Sequence, residues 1–206
     1  MLVALVAGCG GDGGGTTTSA EPTTTEPPAT TQPPATTEPP ATTEPPATTS
    51  GPPAAACSAA GLSAELTPQK LPEPVAELRE RIAEAAVACD YGGLAAIAAE
   101  NPEGFSFTFG SATSAAAYWR RLETQGADEP MARLVQILEL PVTRNEVGAY
   151  AWPSAYTENP TEADWQALAG IYPPEQLELM RGAGSYLGYR TAISADGRWL
   201  FFVAGD

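Results

Sequence analysis

The side chains able to do chemistry in this chain are few, and their types are selective. Cysteine stands at three places, Cys9, Cys57 and Cys89. Arginine meets aromatic residues at two, in the run Tyr118-Trp119-Arg120-Arg121 and in the stretch from Tyr186 through Tyr189 to Arg190. Arginine is a natural partner for carboxylate ligands. Aromatic rings with a few polar groups line many small-molecule cavities. Arg120, Arg121, Trp119, Arg190 and Tyr189 are therefore the candidate ligand-binding residues. The same residues also have a structural use. Tyr118 and Trp119 suit the core face of a helix, and the arginines can pair with surplus acids.

Histidine is absent, which removes His-based catalysis and His-ligated metals. The remaining acids and bases are carboxylates, and each has a local structural role to fill. Asp90 stands at a helix junction as an N-cap, Asp128-Glu129 precede a helix beginning at Pro130, and Asp196 belongs to a turn. Asp206 follows the last strand, where a frayed terminus is expected over a carboxylate brought to the strand end. A hard cation needs several converging oxygens, yet no calcium-loop spacing occurs, and Glu162 and Asp164 would need remote partners. A serine elbow, a phosphate-cradling glycine loop and a CxxC pair are also missing. No catalytic residue, metal or cofactor is assigned, and the chain reads as a non-enzyme.

Charge narrows the partners. All ten basic residues lie in residues 57–206 with twenty of the twenty-five acids, giving this part a formal charge of −10. Nucleic-acid binding needs cations to neutralise phosphates, so it is excluded as the main role. Electrostatic adhesion to anionic lipid is excluded on the same ground.

The chain opens with an apolar run that ends in small residues and a cysteine, Leu5-Val6-Ala7-Gly8-Cys9. This stretch resembles the lipobox of bacterial lipoproteins. The resemblance implies that residues 1–8 are signal peptide, that Cys9 carries the lipid, and that Cys9 becomes the first residue after cleavage. A secretory signal begins with basic residues, and none precedes Cys9; a start further upstream is expected. Eight apolar residues are too few for a transmembrane helix, which needs about 20. Two or three acyl chains would hold the protein firmly, where one chain holds it only marginally.

Residues 9–56 form a tether. Thr24–Ala29 reads TTEPPA, Thr30–Ala35 reads TTQPPA, and TTEPPA returns at Thr36–Ala41 and Thr42–Ala47. None of these residues can build a core, so disorder is expected. Paired prolines fix φ and remove donors, which favours polyproline II. At about 3.1 Å per residue, the 47 residues from Gly10 to Ala56 reach roughly 100–150 Å. Threonine with proline is also the composition of O-glycosylated stalks, and an unmodified spacer is the other reading.

With Cys9 lipidated, Cys57 and Cys89 remain as an even pair in an oxidising compartment, and a structural disulfide between them is expected. A reactive thiol at Cys89 is the alternative. It would need a nearby cation to lower its pKa, and Asp90 beside it does the opposite.

Residues 57–206 have the length of one domain. Val75, Leu78, Ile82, Ala85 and Cys89 recur at helical spacing, predicting a helix over 74–88. Helices are further predicted over 91–99, 114–124, 130–140, 161–169 and 174–181, the one over 161–169 opened by the capping box Thr161-Glu-Ala-Asp164. Phe105–Phe109 alternates and predicts a strand with one aromatic face. Glu146–Trp152 is a second strand. Tyr186–Ile193 and Arg198–Val203 flank an Asp-Gly turn and predict a C-terminal hairpin. Trp199–Val203 is apolar on both faces, so it is expected to be central in the sheet or covered on both faces. Trp152 and Trp165 are packing residues. The fold class is α+β, with helices packed on a curved antiparallel sheet.

The segments Ile82–Ala99, Phe105–Gly110 and Tyr186–Ala204 follow the element order of the NTF2-like (SnoaL-type) superfamily, which they resemble. That resemblance implies a cone-shaped cavity. It implies no catalytic residue, because the Asp–His pairs of that family's enzymes have no counterpart here.

The reading that follows is a lipoprotein on the extracytoplasmic face of a bacterial membrane, held through lipid on Cys9. Its domain would be a non-enzymatic binding or interaction module displayed on a stalk, with an envelope protein or a small molecule as partner. The alternative is a small-ligand-binding or enzymatic NTF2-like domain with a cone cavity; a third is a purely structural envelope protein. One lysine against nine arginines, with abundant alanine, is the usage of a GC-rich genome and suits envelope lipoproteins of high-GC Gram-positive bacteria.

Overall fold

The computed structural model describes residues 57–205. Cys9, the signal expected over residues 1–8, the tether expected over residues 9–56, and Asp206 lie outside the described residues. The element order is α1 (Glu73–Val87), α2 (Tyr91–Ala99), α3 (Ala115–Gln125), α4 (Pro130–Glu139), β1 (Thr143–Arg144) and β2 (Tyr150–Trp152). Then follow α5 (Glu162–Ala167), a 3₁₀ turn over Leu168–Gly170, α6 (Pro174–Ala183), β3 (Arg190–Ile193) and β4 (Trp199–Val203). The strands run antiparallel in the order β1-β2-β3-β4. The fold is α+β and ends in the β3–β4 hairpin.

Local chemistry starts and stops the helices. The Asp90 carboxylate accepts from the Gly93 amide at 2.8 Å and caps α2. Ser114 caps α3, and both halves of the Thr161–Asp164 capping box are made at α5. Gly126 and Gly184 take left-handed φ at the ends of α3 and α6. At the end of α1 that conformation falls on Cys89, with φ 55°, where glycine would be the ordinary choice.

Helices α1 and α4 pack on β3, and α2 packs on β4. The space between helices and sheet is filled by Trp119, Trp152, Trp199 and Phe202, none more than 1% exposed. Trp119 and Trp199 stack at 6.1 Å between centroids, with Phe105 edge-on to the first and tilted against the second. Across the sheet a small second cluster joins Ala149, Ala151 and Ala192 to Tyr156, Leu200 and Phe201.

Three expectations need correction. Phe105–Phe109 forms no strand; one bridge links Ser106 to Phe201, through Ser106 N–H to Leu200 O and Phe202 N–H to Ser106 O. Phe105 and Phe107 turn to the core, while Phe109 stays 60% exposed. Glu146–Gly148 is a turn rather than strand, because Asn145 takes the Ala149 amide on its side chain and Gly148 adopts φ 78°. That turn joins β2 to β1, a strand the sequence did not announce. β4 lies at the end of the strand order with the Ser106 bridge on its outer side, and it is covered on both faces, as expected of a strand that is not central: Trp199 and Phe202 lie in the main core, and Leu200 and Phe201 pack against the second cluster. Finally, Tyr186–Tyr189 is kept out of β3 by its own hydrogen bonds, described below.

Candidate functional site

The first residues of the domain are fastened to three helices. Cys57 and Cys89 form a disulfide, tying the N-terminal arm to the junction of α1 and α2. The neighbouring Ser58 donates through its amide and its hydroxyl to the Glu123 carboxylate of α3, at 2.8 and 2.6 Å. The same two side chains then serve α4. Glu123 accepts from the Met131 amide at 2.9 Å, and the Ser58 hydroxyl accepts from the Ala132 amide at 2.9 Å. These amides have no partner within the helix, and a carboxylate also suits the positive end of its dipole.

The arginine-aromatic run on α3 diverges around the helix. Trp119 is in the core. The Arg120 guanidinium stands 5.1 Å from the Tyr91 ring centroid, and that of Arg121 stands 5.4 Å from Tyr118. Successive helical residues are about 100° apart, so the three cannot converge on one ligand. Arg190 and Tyr189 diverge as well. Arg190 lines one cleft and Tyr189 another, as neighbouring residues of extended chain must when their side chains alternate.

The larger cleft has a volume of about 470 Å³ and is lined by Arg144, Glu146, Tyr156, Glu158, Tyr186 and Arg190, among others. Arg190 is buried at this wall with its guanidinium 5.1 Å from the Tyr156 centroid and 5.6 Å from that of Phe109. Arg144 reaches in from the end of β1, 4.1 Å above the ring of Tyr150, its partner in β2. Two guanidiniums beside two carboxylates suit a small ligand bearing a carboxylate and a cationic group.

Behind this wall three tyrosines close a ring of hydrogen bonds. The Tyr189 amide donates to the Tyr172 hydroxyl at 2.9 Å, the Tyr172 and Tyr186 hydroxyls meet at 3.0 Å, and the Tyr186 hydroxyl donates to the Tyr189 carbonyl at 2.6 Å. One proton order satisfies all three, with Tyr172 donating to Tyr186. Burial pushes the phenol pKa of Tyr172 and Tyr186 upward. It does the same to Tyr189, helped by the negative Asp128, whose carboxylate accepts from the Tyr189 hydroxyl at 2.8 Å.

The second cleft, about 290 Å³, is lined by Phe107, Tyr118, Leu122, Asp128 and Tyr189, with Thr108, Ala127, Ala204 and Gly205. Asp128 also accepts from the Glu129 amide at 2.8 Å, just ahead of α4, whose first amides are served by Glu123 and Ser58 instead.

Several key residues gave no functional signal in the sequence. Arg79 is buried and donates twice to Leu138 O, at 3.1 and 2.6 Å, and once to Thr67 O at 3.1 Å, completing the C-terminal end of α4. Tyr156 and Arg144 sit in segments without a motif. Among the described residues, no three Asp, Glu, Cys or His side chains group to hold a metal. None of the described helices is long and apolar enough to cross a membrane. The chain matches no known protein family, no curated protein and no solved structure.

Proposed function

We propose that this chain is a lipid-anchored lipoprotein of the extracytoplasmic membrane face, whose domain is a non-enzymatic binding module displayed on a Thr/Pro stalk. The observation that carries the reading is the fastening of the arm at residues 57 and 58. The tether of the sequence ends where the domain begins, and there a covalent bridge to the α1–α2 junction and three hydrogen bonds to α3 and α4 hold the chain. A domain displayed on a stalk needs its load-bearing point locked in this way. The disulfide also fits an oxidising compartment. Its bridging partner leaves Cys9 as the remaining thiol, at the position the lipobox resemblance gives to the lipid.

The binding surface we assign is the 470 Å³ cleft walled by Arg190, Arg144 and Tyr156. The alternative of a cone cavity with ligand-binding or enzymatic use rests on element order. It finds less support, since the interior space is occupied by Trp119, Trp152, Trp199 and Phe202.

The experiment is Cys9→Ala in the native gene, followed by fractionation. The parent protein should sediment with membranes, and the variant should be released or remain unprocessed. A variant that is fully processed and still membrane-bound would contradict the proposal. For the cleft, Arg190→Met should abolish any saturable thermal shift given by small carboxylated metabolites, and an undiminished shift would move the site elsewhere.

A further inference from the structure

The cleft walled by Arg144 and Arg190 presents three chemistries together. The first is cationic. Arg144 is exposed on the lining and lies 4.1 Å from the Tyr150 ring centroid. Beyond that ring its side chain enters no ion pair and no hydrogen bond among the described residues. The ring offers no oxygen to its five N–H donors, so the fork that matches a carboxylate is not taken by protein groups. The second is anionic. Glu146 and Glu158 are exposed on the same lining, and neither pairs with Arg144 or with any other cation among the described residues. Opposite charges that share a cleft without meeting leave both signs to a ligand.

The third is apolar. Val147 lines the cleft and is 82% exposed. It sits at the tip of the turn between β1 and β2, where polar residues are usual. Phe109, 60% exposed, lies 5.6 Å from the Arg190 guanidinium on the cleft wall. These are two of the three large apolar side chains exposed among the described residues. One such side chain alone needs no explanation, but two beside one cleft mark a surface that a partner covers.

Together the three select among carboxylated ligands. A simple carboxylate would meet Arg144 and leave Glu146, Glu158 and Val147 without a role. A single amino acid adds an ammonium but is small for about 470 Å³, a volume in the range that holds drug-sized ligands. A peptide of about two to four residues carries a carboxylate, an ammonium and apolar side chains on one chain. Its ends separate by about 3.3–3.6 Å per residue when extended, so its charges stand apart as those of the wall do.

We infer that this cleft binds short peptides with free termini and apolar side chains. The terminal carboxylate goes to Arg144, the terminal ammonium to Glu146 or Glu158, and an apolar side chain covers Val147. The inference rests on the assignment of this cleft as the binding surface and names the class of ligand for it.

The test is calorimetric titration of the full chain, purified in detergent, with trileucine, its C-terminal amide, its N-acetyl derivative and triglycine. Trileucine should bind saturably. The amide and the acetyl derivative should each bind at least about tenfold more weakly, since each loses a charge-assisted hydrogen bond. Triglycine should also bind at least about tenfold more weakly, for want of apolar surface. Arg144→Gln should weaken trileucine by about tenfold and its amide much less. Val147→Ser should weaken trileucine and leave triglycine unchanged. Both positions are exposed, circular dichroism confirms that each variant is folded, and either suffices if the other is not. The inference is overturned if trileucine shows no saturable binding, or if the amide, the acetyl derivative or triglycine binds as tightly. A folded variant that binds trileucine as the parent does would also overturn it. Failure of the peptides beside an Arg190-dependent shift with small carboxylated metabolites would overturn this inference and leave the cleft assignment standing; failure of both would overturn both.

Discussion

The Ser58 hydroxyl donates to Glu123 at 2.6 Å and accepts from the Ala132 amide at 2.9 Å. One short side chain at the start of the domain thereby joins α3 to the N-terminus of α4. Ser58→Ala should cost about 1–2 kcal/mol, the range of a lost helix cap plus a hydrogen bond to a charged group. Urea unfolding checks this. A loss below a few tenths would mean that water replaces the hydroxyl without penalty.

Opening the Cys57–Cys89 bridge, which spans 32 residues, should cost roughly 3–4 kcal/mol by the loop-entropy model. The paired substitution Cys57→Ser with Cys89→Ser should lower the thermal midpoint clearly. Substituting Cys89→Gly and Cys57→Ser together should recover part of the loss, because position 89 holds φ 55° and glycine adopts it without strain. Equal midpoints for the two double variants would count against the strain argument.

Gly188 lies against two hydroxyls of the tyrosine ring. A Cβ there would come within 2.5 Å of both the Tyr172 and the Tyr186 oxygens. Aromatic rings in a closed hydrogen-bond ring cannot swing aside cheaply. Gly188→Ala should therefore destabilise by roughly 1–3 kcal/mol, the range for overpacking. It should also perturb the Arg190 cleft next to it. An alanine variant as stable as the parent would mean that the ring is loosely held.

Alkaline pH should unfold the domain through the same tyrosines. Tyr172, Tyr186 and Tyr189 all have pKa values raised above the ordinary 10.0. The folded state thus holds these protons more tightly than the unfolded chain does. The associated stability is complete below about pH 10 and falls as pH rises further, by about 1.4 kcal/mol per pH unit for each phenol. Phenolate absorbance and circular dichroism should therefore change together for these three residues. All seven tyrosines ionising while the circular dichroism stays native would refute the prediction.

The features legible in the sequence are those written by neighbours. Asp90, Ser114 and Thr161 each act on the amide three residues ahead, and Gly197 sits in the turn between two strands, so local spacing reveals them. The Cys57–Cys89 pair was expected once Cys9 was set aside on the lipobox resemblance, and the bridge is formed. What was hidden depends on distant partners. Arg79 stands among exposed acids in the sequence, yet its target is a carbonyl 59 residues away. Phe105–Phe109 has the alternation of a strand, but Trp119 draws two of its rings to the core and leaves one bridge. Tyr186–Tyr189 looked like strand because of its composition; Tyr172 captures its backbone instead. The binding candidates failed to cluster for a geometric reason. Neighbours in sequence on a helix or an extended chain point apart, so Arg120 and Arg121, or Tyr189 and Arg190, cannot share one pocket.

The anchored-display account stands or falls on Cys9. Intact-mass and N-terminal peptide analysis of the protein extracted from its native membrane tests it directly. The account predicts a mature chain beginning at Cys9, with a diacylglyceryl group on its sulfur. A mature chain that retains residues before Cys9, or that carries Cys9 as an unmodified thiol, would contradict it.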